Sequence, residues 1–140
     1  GRLDRSSDQA FRKRGIMKNR PSVYVVQVPH RHDPQKGRLV PVVDLSDAKR
    51  FGELKFLTGP NAKPFDSSVI QEIERNLRHF KPTDFLLLIG APILMGIATA
   101  YAADVAGTVK FLSWNGRESA YTPVEIEVFE LEPETEDRPK

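Results

Sequence analysis

Apolar residues crowd most densely between residues 85 and 103, where 19 consecutive positions carry no charge. A run of that length raises the question of a membrane span. It also divides into parts. Residues 85–89 (FLLLI) are unbroken in their apolarity, as in a strand buried on both faces. Gly90, Ala91 and Pro92 supply a tight turn, with Pro92 at a first helical position where its missing N–H costs nothing. Residues 92–105 then read as a helix. Gly96, Ala100 and Ala103 recur in it at i, i+4 and i+7, a seam predicted to let the helix lie close against a sheet. Such seams also join membrane helices, so the flanks decide. A span would leave two short pieces with unpaired strands. The strand–turn–helix reading is therefore preferred, with no membrane contact expected.

The same patterning places the other elements. Residues 22–28 (SVYVVQV) and 39–45 (LVPVVDL) are β-branched runs, predicted to pair as a hairpin across the turn-rich residues 29–38. Pro41 puts the second run at an edge or a bulge. Ser46 caps a helical turn through Phe51, closed by Gly52. Residues 53–58 form a strand. Asp66, Ser67 or Ser68 then caps a helix whose apolar stripe is Val69, Ile70, Ile73, Leu77 and Phe80. After the 85–105 unit come strands at 108–114 and 121–129. In the last, Val124, Ile126 and Val128 alternate with glutamates, which predicts one buried face. The order implies a single small α/β domain. It has a mixed sheet of about six strands, a β-α-β-α-β centre and flanking antiparallel strands.

Charge divides the chain into three. Residues 1–20 hold seven Lys/Arg against Asp4 and Asp8, and residues 125–140 hold seven Asp/Glu against Arg138 and Lys140. The expected organisation is a basic arm at 1–20, a domain at 21–130 and an acidic tail at 131–140. Met17 stands shortly before the first strand, so residues 1–16 read as an extension. Arg12, Lys13, Arg14, Lys18 and Arg20 form an interaction arm that suits protein carboxylates or, more weakly, nucleic-acid phosphates. No apolar signal segment occurs in residues 1–20. The 140 residues include no cysteine, which excludes disulfides and thiolate chemistry.

Candidate chemistry is sparse. In an open α/β sheet, ligands bind outside the carboxyl ends of the strands. That rule singles out Asn61, Lys63, Ser67 and Ser68 after residues 53–58, Gly90 and Ala91 after 85–89, and Trp114, Asn115 and Arg117 after 108–114. Helix N-termini begin at the first two loops and suit an anion. Lys63 and Arg117 add positive charge, and Trp114 can stack on a base. A nucleotide or other phosphorylated ligand is the candidate. Neither a dinucleotide fingerprint nor a phosphate loop is present. His30, His32 and Asp33 are weak metal candidates, one ligand short of an ordinary zinc set. No nucleophile or paired carboxylates have positioned partners, so no catalytic residue is assigned.

Gly90, Pro92, Gly96, Leu112, Trp114, Tyr121 and Pro123 carry a further signal. They fall in a strand–Gly-x-Pro–helix unit leading into a strand that ends in Trp and a Tyr-x-Pro strand. This stretch resembles small accessory proteins of marine tailed phages. The resemblance covers about a third of the chain. It implies a viral accessory role in the host cytoplasm or the virion, and brings no cofactor or reaction. The leading expectation is a non-enzymatic accessory or assembly protein acting through protein–protein contacts, its own copies included. The alternative is a small ligand-binding domain using the three loops.

Overall fold

The computed structural model describes residues 20–128. In chain order its elements are β1 (Ser22–Val25), β2 (His30–Asp33), β3 (Arg38–Pro41), a 3-10 helix (Ser46–Arg50), β4 (Glu53–Phe56), α1 (Ser67–Asn76), β5 (Phe85–Leu87), α2 (Pro92–Ala106), β6 (Thr108–Asn115) and β7 (Ala120–Glu127). Five strands form one sheet in the order β4-β1-β5-β6-β7, and β2 pairs with β3 in a separate two-stranded sheet. The fold is the expected small α/β domain. The basic arm at residues 12–18 and the acidic tail at 131–140 lie outside the described residues.

The sheet is mixed. β4, β1, β5 and β6 run parallel, and β7 closes one side antiparallel to β6. The sequence expectation fails at the first strand, which does not form a hairpin with residues 39–45. It sits inside the sheet between β4 and β5, and the antiparallel hairpin is local to residues 30–41. All four β1 residues are buried, as a central strand requires. The hairpin strands are mostly exposed and lack that partner surface.

Each sheet face has its own core. On one side Val26, Leu86 and Val109 meet Ile73 and Leu77 of the α1 region and Leu94, Ala98 and Ala102 of α2. On the other, Val23, Val25, Leu87 and Leu112 meet Ala48 of the 3-10 helix and Tyr121. Both long helices thus cover one face, and a short helix with its flanking segment covers the other. A ten-residue helix is marginal alone. α1 persists because its stripe packs at Val69 and Ile73 and because the Asp66 carboxylate accepts the Ser68 N–H at 3.0 Å. A second carboxylate ties the sheet to the helix layer: buried Asp84 accepts the backbone N–H of Ser22 and of Lys81, both at 2.9 Å.

The strand–turn–helix reading of residues 85–106 holds. Among the described residues no helix is long and apolar enough to cross a membrane. The helix seam, however, is rotated from the expected one. Leu94, Ala98 and Ala102 face the sheet with no exposure and Ala103 of the expected seam is buried as well, whereas Gly96 and Ala100 point outward. Leu94 decides the rotation, because it is the large side chain the core can swallow. Val124, Ile126 and Val128 also depart from expectation and are 41%, 47% and 39% exposed. β7 is an edge strand, and α2 packs on β6 rather than covering it.

Candidate functional site

The strand order reverses at β1. The chain leaves β1 for β4 on one side and later reaches β5 on the other, so the crevice between β1 and β5 is where a ligand is expected. The protein fills that crevice with Gln27. This side chain is 7% exposed. Its Nε2 donates to the carbonyls of Ala62 at 3.1 Å and Gly59 at 3.3 Å, and its Oε1 accepts the Ala91 N–H at 2.9 Å. Gly90 takes φ 109°, and any Cβ there would collide with Gln27. One amide therefore joins the loops after β1, β4 and β5.

The residues singled out from the sequence distribute as follows. Asn61, Lys63, Ser67 and Ser68 are exposed on the loop after β4 and the first turn of α1. Ser68 gives both its N–H and its hydroxyl to Asp66, so a carboxylate occupies the anion position at that helix end. Gly90 and Ala91 are engaged by Gln27. Trp114 and Arg117 are exposed at the β6–β7 turn, where the Asn115 carboxamide accepts the N–H groups of Arg117 and Glu118. The loops after β4 and β6 are three strand spacings apart, about 14 Å, so they do not converge on one small ligand. Arg20 donates to the Lys49 carbonyl at 2.7 Å. His30 sits on β2 with Nδ1 2.8 Å from the Val28 carbonyl, and Asp33 accepts the Gln35 N–H. His32 is exposed on the same strand, and no metal-holding cluster occurs among the described residues.

The face away from α1 and α2 carries features that sequence reading missed. A cavity of about 580 Å³ lies beside the ends of β5 and β6, lined by Leu87, Ile89, Leu112, Trp114, Tyr121 and Asp44. Trp114 packs edge-on against Tyr121 with ring centroids 4.9 Å apart. The Ser46 hydroxyl and N–H hold the Asp44 carboxyl below its usual range. Next to it Asp47 and Arg50 form a clamp. Asp47 Oδ2 accepts the Tyr121 N–H at 2.7 Å, Arg50 Nη2 donates to the Tyr121 carbonyl at 3.0 Å, and the two side chains bond each other at 2.8 Å. The Arg50 contact, and then the Tyr121 N–H, lower the Asp47 pKa. Burial and the two aspartates push the Tyr121 phenol up. The i,i+3 spacing of Asp47 and Arg50 was the available signal, though not its target.

The clamp also shows how β7 presents its edge. Tyr121 turns its peptide groups away from β6, and Val128 N–H bonds inward to the Gly107 carbonyl at 3.1 Å. Odd-numbered residues of β7 therefore face outward. Tyr121 is occupied and Pro123 has no N–H, so among the described residues Glu125 and Glu127 are the open donors, a short and charged edge that resists strand addition. The face beside it is different. Val124 and Ile126 are exposed on the α2 side, and Val105, 46% exposed, stands in the last turn of α2, two residues before the Gly107 that accepts the Val128 N–H. The outer stripe of α2 adds Ile93 (61% exposed), Gly96 and Ala100.

No curated protein and no solved structure matches the chain. A family model does, over residues 21–128, which is nearly the whole of the described fold. The chain belongs to the family of the phage Pam3 gp32-like protein.

Proposed function

We propose that this phage-family protein is a non-enzymatic accessory or assembly factor that works by protein–protein contact in the virion or the host cytoplasm. The observation that carries the reading is the apolar surface formed by the outer stripe of α2 with Val124, Ile126 and Val128. Helices on the outside of a soluble domain ordinarily turn charges to water. Here Asp104 is the one charged residue in 15. Exposed apolar side chains gathered on one face of a domain in this way mark contact sites. The charged segments at residues 12–20 and 130–137 extend the same reading as further contact elements.

The test is complementation. A phage whose copy of the gene is disrupted is supplied with the wild-type chain or with Ile126→Lys/Ile93→Lys. Wild type restores the yield of complete particles, and the variant, equally folded by circular dichroism, does not. Equal rescue by both chains overturns the reading.

Binding of a nucleotide or other phosphorylated molecule ranks second. It is favoured by the half-exposed Trp114 ring at the mouth of the 580 Å³ cavity. Asp44 in the same wall opposes a phosphate, and Gln27 closes the switch point. A nucleotide at about 100 times its dissociation constant adds about 2.7 kcal/mol of stability. The absence of any thermal shift across a nucleotide panel removes this reading.

A further inference from the structure

We propose that two copies of this chain associate through α2, packed antiparallel about a twofold axis that passes between Ala98 and Thr99. The inference rests on the contact reading above and names its partner as a second copy of the chain.

The stripe has the pattern of a helix–helix seam. Ile93, Gly96, Ala100 and Asp104 follow at steps of three and four and are all exposed, so they form one line along the side of α2 opposite the sheet. The sheet-facing line is Leu94, Ala98 and Ala102, all fully buried. Both sides of the helix are thus built to pack, and only one has a partner among the described residues. Gly96 has nothing within 4 Å of where a Cβ would stand, so its space opens outward. Gly96 and Ala100 let a second helix come close, and Ile93, 61% exposed, supplies the knob.

Charge selects the occupant and its direction. Asp104 lies in the last turn of α2, where the helix dipole disfavours a carboxylate, and no basic residue accompanies it. The first turn has the opposite defect. Its N-cap is Ala91, no side chain caps it, and it holds no acidic residue. Each end lacks what the other end has in the wrong place. An antiparallel pair centred between residues 98 and 99 resolves both: Asp104 falls beside the partner's Ile93, at the uncapped N–H groups. A twofold interface requires this self-complementarity. A parallel pair would instead set the two Asp104 side chains against each other. α2 is about 22 Å long, and a contact of that length sits at the low end of specific interfaces. The dimer is therefore concentration-dependent.

The test uses the full chain. Sedimentation equilibrium over about a hundredfold range of concentration resolves a monomer–dimer equilibrium for wild type. Ala100→Glu, at an exposed site, leaves the circular dichroism unchanged and weakens the dimer at least tenfold. Asp104→Lys is the sharper probe. As a monomer it gains stability, because a cation suits the end of its own helix, while its dimer weakens about tenfold. Register is read by cross-linking, which the absence of cysteine makes clean. Ile93→Cys/Asp104→Cys forms a disulfide dimer under mild oxidation, and Ile93→Cys alone does not. A wild-type chain that stays monomeric at every concentration overturns the proposal, as does a dimer indifferent to Ala100→Glu, or one in which the double-cysteine variant fails to cross-link. Sedimentation of the wild-type chain with phosphatidylcholine vesicles, abolished by Ala100→Glu, also overturns it, since the stripe would then serve a lipid surface. A monomeric chain whose Ile126→Lys/Ile93→Lys variant still fails to complement leaves the contact function standing with a different protein as partner.

Discussion

A Cβ added at Gly90 would lie 2.5 Å from the Cβ of Gln27 and 2.8 Å from its carbonyl oxygen. The two residues are 63 positions apart, and each exists in its form because of the other. Gly90 adopts φ 109°, which an L side chain rarely takes, and it leaves the space that Gln27 crosses to reach Ala91. Gly90→Ala adds backbone strain and a collision with atoms that are not free to move. The expected loss is about 4 kcal/mol, from strain and overpacking together. Chemical denaturation measures it. A variant within 1 kcal/mol of wild type, by the same standard, would show that the turn relaxes.

Gln27 itself is a second test. Gln27→Ala removes the amide and leaves the Gly59 and Ala62 carbonyls and the Ala91 N–H in a half-buried crevice. The cost is about 2 kcal/mol if water does not enter. Gln27→Glu is worse at neutral pH, because a carboxylate would face the two carbonyls to which Nε2 now donates. Its protonated form can still donate. The Glu variant should therefore recover stability as pH falls, whereas Gln27→Ala should not. Parallel thermal melts at pH 4 and pH 7 separate the two, and identical pH profiles contradict the role assigned to Nε2.

Why the sequence disclosed one part of this centre and concealed another has a physical basis. The turn at residues 90–92 was legible because Gly and Pro carry their constraints locally. Gln27 was not, since its carbonyl partners lie 32 and 35 residues away, and a polar residue ending an apolar run has no local signature. The same distinction explains β1. The run Ser22–Val25 fits a strand in any sheet, and whether it pairs with residues 39–45 or with Phe85–Leu87 depends on which surface is left to cover. In α2 two seams of small residues satisfy the same i,i+4 spacing. Only the core's demand for Leu94 selects Ala98 and Ala102 over Gly96 and Ala100. The alternation in β7 was read correctly, but burial of Val124 and Ile126 requires a layer that α2 does not reach.

Asp84 gives a third expectation. Its carboxylate is 4% exposed and accepts two backbone N–H groups, one from the start of β1 and one from the turn after α1. Hydrogen bonds to a charged acceptor are worth about 1.5–3 kcal/mol each, and stranding the donors adds to the loss. Asp84→Ala should destabilise by about 3–4 kcal/mol on that scale. Asp84→Asn keeps one acceptor oxygen and should lose about half as much. Urea melts of the two variants order them. An equal loss would mean that a single oxygen bears the whole interaction.

The Asp47–Arg50 clamp yields a pH dependence whose sign is fixed by the lowered Asp47 pKa. A carboxyl with a depressed folded value contributes stability above its ordinary, unfolded value. It loses that contribution as pH falls from the ordinary value through the folded one. The charged form accepts the Tyr121 N–H and the Arg50 guanidinium, so acidification from about pH 4 downward should release the start of β7. Arg50 is then left with the Tyr121 carbonyl and the Phe51 ring, over which its guanidinium lies 4.2 Å from the centroid. The clamp stands at one end of an edge strand, with Arg50 exposed, so the effect is local rather than global. The protection of the Tyr121 amide, measured relative to the exchange of an unstructured amide at the same pH, should fall across that window, while the Val109 amide deep in β6 stays protected. Asp47→Asn should abolish the pH dependence of that protection and leave it low at every pH. If the Tyr121 amide stays equally protected in wild type through the acid window, its protection comes from packing of the ring against Trp114 and not from the carboxylate.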